Sequence, residues 1–377
     1  MSEPASKVST SPHTTPGLPQ FNLEELSSSE CWWRDHQVWL QERGYMLRPR
    51  YRPGWKPSWK DRPGGLLVLA EDWHTSMHPR ILDAVRMSDN RLVILKQIKR
   101  SWYPHELEIT QFLSSEERRS DPRNHTMPIL DVFDVPDDPD LTLIVMPLLR
   151  ACDSPSWQTV GEVIAFLIQV FEGLQYMHGL RVAHRDCQAP NIMYDPSPMY
   201  PQMFHPRLQY RSRDWKGRAR HSTRTQNPVR YHYIDFGLSR KYSPEDPAPR
   251  AEPIRGGDKT VPEFANWNGE PLDPFPTDIY YLGNMVRTHV LERFKGVEFL
   301  TPLVEEMVQA DPAKRPTMQE AGSRLGELVK LNEGWKMRAR LMPRNEDPGE
   351  AFFARIAHAF RTARYIVTRK SAIPIPK

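Results

Sequence analysis

The chain has 377 residues, 39% of them hydrophobic, so it can bury a sizeable core in one large domain or two. Lysine and arginine exceed aspartate and glutamate by only 51 − 47 = 4, which gives no general case for nucleic-acid binding. We find no apolar run of about 18 residues, no secretory signal pattern at the N-terminus and no metal-ligand spacing among the three cysteines. We therefore expect a cytoplasmic or nuclear protein, or one found in both, that binds neither membranes nor nucleic acid.

The first 64 residues divide by composition. Residues 1–28 are rich in Ser, Thr and Pro and can bury little apolar surface, so we expect a disordered tail. Residues 29–64 are aromatic and basic and are interrupted by Pro and Gly. Interleaved Arg and Trp side chains leave RNA stacking as an alternative, although the charge is local. We interpret this segment as an extension clamped onto the main domain, with buried Trp rings covered by Arg stems.

Strand patterns follow the extension. A short apolar run at 66–70 precedes two segments, 81–87 and 91–98, which flank a turn at 88–90 and predict a hairpin. In the second segment Lys96 falls on a face with apolar neighbours. That is unusual for a charge unless an anionic group meets it.

A helical pattern at 105–113 supplies a candidate carboxylate for Lys96. We prefer Glu108 to Glu106, because three other residues then form the apolar face, namely Ile109, Phe112 and Leu113. A solvated helix face is the alternative for either glutamate.

Two further strands are predicted at 124–133 and 141–147, and Pro147 ends the second. Thr159 to Glu162 then forms a capping box, which opens a helix with apolar residues at helical spacing as far as Met177. We expect this helix to lie in the core and to lead into a loop.

That loop, at 182–191, concentrates side chains that can do chemistry. It contains His184-Arg185-Asp186 and, five positions after the aspartate, Asn191. An aspartate in an ordered loop can accept a proton from an attacking hydroxyl, and an asparagine oxygen can ligate a hard cation such as magnesium.

An insertion at 195–230 is rich in proline and strongly basic. From residue 207 to residue 230 one acid, Asp214, stands against eight bases: Arg207, Arg211, Arg213, Lys216, Arg218, Arg220, Arg224 and Arg230. A solvated surface loop is one interpretation. The other is a docking site for an acidic or phosphorylated protein partner.

The second half of the chain adds ordered motifs. A strand at 231–237 ends in Asp235-Phe236-Gly237, and later motifs carry Glu263, Asp278 and Arg315. With the loop at 182–191 and the strand ending in Lys96, these motifs resemble those of the eukaryotic protein kinase superfamily. The aromatic extension and the basic insertion are also similar to protein-kinase-like families expanded in basidiomycete fungi.

The resemblance covers about residues 65–330 and implies an α+β, two-lobed protein-kinase-like fold. Its expected parts are a small, mainly antiparallel β lobe with one key helix (about 65–146), a larger, mainly helical lobe (about 150–335) and a C-terminal extension (336–377). One helix is predicted in that extension, at 348–363, packed on the large lobe or on the N-terminal extension; its apolar residues are Phe352, Phe353, Ile356 and Phe360.

The resemblance also implies ATP and Mg²⁺ as cofactors. Lys96, held by Glu108, would contact the α- and β-phosphates of ATP. A hinge from Met146 to Leu149 would bind adenine, with Met146 and Leu148 as the cofactor-binding residues.

The same resemblance pairs Arg315 with Glu263 and assigns the remaining roles. Asp186 would be the catalytic base of a kinase that acts on Ser and Thr, while Asn191 and Asp235 would bind magnesium. His184 would support the loop. Arg185 would meet a phosphate on the activation segment, for which the candidates are Ser239, Ser243 and Thr260.

Two departures from the kinase pattern keep other functions open. No glycine-rich loop precedes Lys96, and at 71–79, where that loop belongs, Glu71 and Asp72 would repel phosphates. Gln188 stands where Ser/Thr kinases have a lysine that touches the γ-phosphate. A pseudokinase scaffold is therefore one alternative, and a kinase-like small-molecule phosphotransferase is a second, against which Glu263 and Arg315 argue.

Overall fold

The described part of the chain is mixed α+β, in a computed structural model that describes residues 24–60, 70–76, 78–254, 257–265 and 267–376. It contains eleven α-helices and twelve short or medium β-strands. Most of the tail predicted to be disordered, and the apolar run predicted at 66–69, lie outside these residues.

A five-stranded antiparallel sheet occupies the N-terminal part, with strand order β1-β2-β3-β5-β4. Its strands are β1 (Tyr45–Leu47), β2 (Ile81–Arg86), β3 (Arg91–Lys99), β4 (Asp131–Val135) and β5 (Asp138–Pro147). The hairpin predicted from 81–87 and 91–98 is confirmed, and Asn90 turns it with a φ of 57°. The strand predicted to begin at residue 124 begins only at Asp131.

The predicted N-terminal extension supplies an edge of this sheet. Its strand β1 pairs with β2, and two helices precede it, α1 (Ser28–Asp35) and α2 (Gln37–Glu42). Trp33 and Leu40 from these helices pack with Val93 and Leu95 of β3 in one buried cluster. The predicted boundary at residue 65 therefore does not separate the extension from the sheet.

Two helices lie between β3 and β4. They are α3 (Glu106–Leu113), which turns Ile109 and Leu113 into the core, and the short α4 (Glu116–Arg119). A connection of six residues, 100–105, joins β3 to α3, and the first turn of α3 lies against the side of the sheet that carries Lys96.

A second, larger core forms around α5 (Val160–Gly179). Thr159 caps this helix by accepting from the backbone N–H of Glu162 at 3.1 Å. The predicted capping box is only half formed, because Glu162 accepts from the N–H of Gln158 instead of that of Thr159. In the described residues α5 is the one helix that is long and apolar enough to cross a membrane, and 78% of its apolar window is buried inside the protein. It is therefore a core helix, and it gives no sign of a membrane span.

The other helices pack around or beyond α5. They are α6 (Pro262–Ala265), α7 (Pro274–Val286), α8 (Thr301–Met307), α9 (Met318–Leu331), α10 (Trp335–Arg338) and α11 (Pro348–Val367). Short strands complete the region: β6 (Arg150–Ala151), β7 (Val182–Ala183), β8 (Ile192–Tyr194), β9 (Tyr231–Tyr233), β10 (Arg240–Lys241), β11 (Phe294–Lys295) and β12 (Met342–Pro343). The C-terminal helix predicted at 348–363 is present as α11; Tyr365 anchors it, while its phenylalanines are largely exposed.

Candidate active site

Lys96 lies at the centre of an ion cluster. Its Nζ is 2.5 Å from Oε1 of Glu106 and 2.8 Å from Oδ1 of Asp235. Lys96 comes from β3, Glu106 from the first turn of α3, and Asp235 from the end of β9. The cluster therefore ties the sheet, α3 and the large helical core to one another at a single cation.

The prediction that Glu108 pairs with Lys96 is wrong. Burial on α3 follows Glu106, Ile109, Thr110 and Leu113, which is the spacing of one helix face. Glu106 therefore points inward, with 3% of its side chain exposed, whereas the side chain of Glu108 is 65% exposed and lies 3.9 Å from Lys241.

Lys96 and Asp235 stabilise each other's charge, whereas burial, with a smaller contribution from Asp235, raises the pKa of Glu106 in spite of Lys96. Burial alone would lower the pKa of Lys96, but Glu106 and Asp235 outweigh it and raise that pKa. Burial also opposes the charge of Asp235, and the ammonium of Lys96 more than compensates, so the pKa of Asp235 is lowered. Lys96 and Asp235 therefore both carry their charges at neutral pH.

Asp186 sits in a loop whose polar side chains converge on its carboxylate. Asn191 Nδ2 donates to Asp186 Oδ2 at 2.7 Å, and Gln188 Nε2 donates to Oδ1. Gly257 packs close by, since a Cβ there would lie 2.6 Å from Oδ1 of Asp186. Its φ of +72° also favours glycine.

Asp278 of α7 fixes the backbone of the loop that carries Asp186. The sequence motif at Asp278 did not reveal this role. The fully buried carboxylate of Asp278 accepts from the backbone N–H groups of His184 at 2.8 Å and Arg185 at 2.6 Å, and from His178 Nε2 at 3.0 Å. His184 Nε2 is also 3.1 Å from the carbonyl of Ile234, next to Asp235. These bonds fix the loop relative to β9.

Arg185 is engaged with backbone in this structure. Its guanidinium donates to the carbonyls of Leu238, at 3.2 Å, and of Glu252. Ser239, one candidate phosphate acceptor, is fully buried and donates to the carbonyl of His184. Ser243 and Thr260 are exposed, so phosphorylation of the activation segment stays a prediction for these two.

The predicted pair Glu263–Arg315 forms. Arg315 donates to both carboxylate oxygens of Glu263, at 2.8 and 2.6 Å, and both side chains are buried. A bidentate pair of this kind fixes α6 against the loop that precedes α9.

A cavity of about 300 Å³ opens between the sheet and the helical core. Ile81 and Ile94 line it from the sheet, and Met193 and Ile234 line it from β8 and the end of β9. The predicted hinge residues Met146 and Leu148 line it as well. Its volume and its largely apolar lining suit one flat heterocyclic ligand.

The segment at 71–79 departs from the repulsion expected at Glu71 and Asp72. Glu71 lies 3.2 Å from Arg48 and 2.9 Å from His205, while Asp72 is buried and accepts from Trp55 Nε1 and from Ser58. Both carboxylates are therefore paired within the protein, and they do not face the cavity as bare charges.

The insertion at 195–230 reaches the mouth of the same cavity, which the sequence did not suggest. Pro206, Arg207 and Gln209 line the cavity, and Arg207 Nε donates to the carbonyl of Thr75 at 3.1 Å. Arg213 donates to Asn90 in the β2–β3 turn, at 2.7 and 2.8 Å. The insertion therefore bridges the sheet and the helical core.

Several arginines of the insertion are structural. Arg224 is buried and donates to the carbonyls of Cys152 and Pro155, and Arg230 donates to those of Pro122 and Asn124. A wholly solvated loop is thus the wrong description. Lys216, Arg218 and Arg220 are exposed, and docking of an acidic or phosphorylated partner there stays a prediction.

Asn191 and Asp235 offer oxygen ligands of the type that magnesium prefers. The N–H of Ile234 donates to the carbonyl of Asn191 at 3.0 Å, which brings Asn191 close to Asp235, the residue that follows Ile234. Asn191 donates through Nδ2, which leaves its Oδ1 on the other side of the amide. About half of the Asp235 side chain is exposed. The donor set fits a hard divalent cation.

No family model matches the chain, and a search of curated proteins finds no match. The class of protein therefore rests on the geometry of its fold and of its candidate site. It is a mixed α+β protein with a largely apolar cavity, a lysine paired with two carboxylates and a loop in which an asparagine donates to an aspartate.

Proposed function

We propose that this protein is a two-lobed protein kinase that transfers the γ-phosphate of ATP to Ser or Thr hydroxyls of protein substrates. The observation that supports this best is Lys96, which bridges Glu106 and Asp235. Ile234, the residue before Asp235, lines the cavity, and Asn191 donates to Asp186 in the neighbouring loop. Phosphoryl transfer relies mainly on positioning and on stabilising charge, and this cluster supplies both.

Each residue has a role in this proposal. The cavity holds adenine against Met146 and Leu148, and Lys96 binds the α- and β-phosphates. Asp186 accepts the proton of the attacking hydroxyl. Asn191 and Asp235 hold magnesium, which when bound neutralises charge on the phosphates.

A second candidate is a kinase-shaped scaffold that binds nucleotide without transfer. Three observations favour it: Gln188 donates to Asp186, Gly257 packs against the same carboxylate, and the insertion covers the mouth of the cavity. In this case nucleotide binding in the cavity has a regulatory role, and Asp186 takes no part in catalysis.

One experiment separates the two. The wild type and Asp186→Asn are compared for Mg-ATP binding, measured as a thermal shift, and for radiolabel transfer to a mixed Ser/Thr substrate. We expect both to bind, and Asp186→Asn to lose transfer by about 10²-fold or more. The matched control is Asp134→Asn, whose side chain is 78% exposed on β4.

The other outcomes are equally informative. Binding without transfer by the wild type would favour the scaffold, and transfer that survives Asp186→Asn would refute Asp186 as the base. A chain with no thermal shift in Mg-ATP would contradict both candidates.

A further inference from the structure

Helix α11 is attached to the rest of the protein by one side only. Tyr365 is its one buried residue, and the Tyr365 hydroxyl lies 2.8 Å from Thr223 Oγ1. Its N-terminus is capped by Asp347, which accepts from the N–H groups of Gly349 and Glu350. The helix is therefore well formed and anchored, and its opposite side faces away from the described protein.

That opposite side is an apolar stripe. At 3.6 residues per turn, Phe352, Ile356, Phe360 and Val367 fall on one face, with Phe353 at its edge. The exposed fractions of the phenylalanines are 60% for Phe352, 72% for Phe353 and 74% for Phe360. Three aromatic side chains exposed to this degree on one helix face indicate a surface that meets a partner.

Arginines border the stripe on both sides. By the same helical geometry Arg355 falls at one border and Arg364 at the other, and both are exposed. From residue 348 to residue 370 five bases, Arg355, Arg361, Arg364, Arg369 and Lys370, stand against one acid, Glu350, which gives a net charge of 5 − 1 = +4. The partner should therefore be apolar at its centre and anionic around it.

We propose that α11 docks on an anionic lipid bilayer, lying in the plane of the interface with its phenylalanine stripe inserted. An amphipathic helix with aromatic residues on one face and bases beside them binds such interfaces through buried apolar area and attraction to acidic lipids. The proposal departs from the expectation that the protein has no membrane partner. That expectation rested on the lack of a spanning helix, and an interfacial helix does not span. It is independent of any kinase activity.

Other partners match the positive charge beside the α11 stripe less well. A second copy of the chain would bring two such segments into contact, each with a net charge of +4 over residues 348–370. Like charges oppose that pairing. The first 23 residues of the chain carry one acid, Glu3, and one base, Lys7, so they offer no excess of acid to meet the arginines. A bilayer also suits the convex shape of a single exposed helix, which offers no groove.

The test is co-sedimentation of the full chain with vesicles. One set is phosphatidylcholine alone, and the other contains about 30% phosphatidylserine, a typical anionic surface. We expect binding to the anionic set only, weakening as salt rises. Replacing Phe353 and Phe360 by Glu should abolish it. Replacing Arg355 and Arg364 by Gln should weaken it roughly 30-fold, at about 1 kcal/mol per base.

Controls keep the result specific. Val38→Glu alters an exposed apolar residue on α2 and should leave binding unchanged, and circular dichroism should show that every variant folds. No sedimentation with anionic vesicles, or equal sedimentation of the Phe353/Phe360 variant, would overturn the proposal. So would a dimer that the same variant dissociates, or stable capture of an acidic protein through the stripe with no vesicle binding.

Discussion

The ammonium nitrogen of Lys96 lies 2.5 Å from a carboxylate oxygen of Glu106, although Glu108 lies on the same helix only two residues away. The difference follows from the position of α3. Its buried face begins at Glu106, and the hundred-degree step per residue turns Glu108 toward solvent. The pair holds the ammonium group of Lys96 beside Asp235.

This pair gives the first prediction. Glu106→Gln should weaken Mg-ATP binding roughly tenfold or more, because Lys96 loses a charge-assisted bond worth about 1.5–3 kcal/mol. Glu108→Gln, two positions away, should change the affinity less than twofold. Titration calorimetry measures both variants. Equal losses in the two would contradict the assignment of Glu106.

Asp278 gives a prediction about stability. Asp278→Asn replaces one acceptor oxygen by an amide that faces donors, and it should lower the free energy of unfolding by roughly 2–4 kcal/mol and disturb the loop at Asp186. Asp273 caps the same helix by accepting from the N–H of Phe275, and Asn is an equally good cap. Asp273→Asn should therefore be close to neutral. Urea unfolding compares the two.

The insertion should slow the entry of nucleotide into the cavity and its release. Arg213→Ala removes two hydrogen bonds to Asn90, so the contact between the insertion and the sheet loosens. We expect nucleotide to enter and leave several-fold faster, with a smaller change in Kd, because both rates share the opening step. Stopped-flow measurement with a fluorescent nucleotide tests this. Arg220→Ala, at an exposed position in the insertion, is the control, and identical rates in the two variants would count against a covering role.

His232 predicts a dependence of stability on pH. Burial lowers the pKa of His232 to about 4, whereas an unfolded histidine titrates near 6.5. Between about pH 4 and pH 6.5, therefore, His232 is protonated in the unfolded chain and neutral in the folded protein. Stability from this group is therefore present above about pH 6.5 and falls as the pH drops toward 4, by about 1.4 kcal/mol per unit.

The measurement is the free energy of unfolding from pH 7 to pH 4.5. His232→Asn should show a shallower loss than the wild type, and the exposed His221→Asn should follow the wild type. A wild-type slope retained by His232→Asn would show that other groups cause the acid sensitivity.

Local patterns in the sequence predicted many of the parts. The hairpin around Asn90, the capped helix α5 and the pair Glu263–Arg315 are all present. These features depend on alternation, on capping residues and on short motifs, which act over a few residues and are therefore readable along the chain.

Other features needed the tertiary structure. Periodicity cannot fix where a helix starts to within two residues, so it did not decide between Glu106 and Glu108. Nor can composition tell a solvated basic loop from one whose arginines bond to backbone carbonyls of other segments, as Arg207 does to Thr75 and Arg224 to Pro155.

The sequence by itself determined which side chains lie together locally. Lys96 lies on the apolar side of its strand, Asp186 and Asn191 share one loop, and the phenylalanines lie along one face of α11. Only the tertiary structure decided what each face meets. Lys96 meets Glu106 and Asp235, whereas the phenylalanine stripe stays largely exposed in the described chain. The physical reason is that periodicity is set by the local geometry of the backbone, while contact depends on how separate elements pack around two cores.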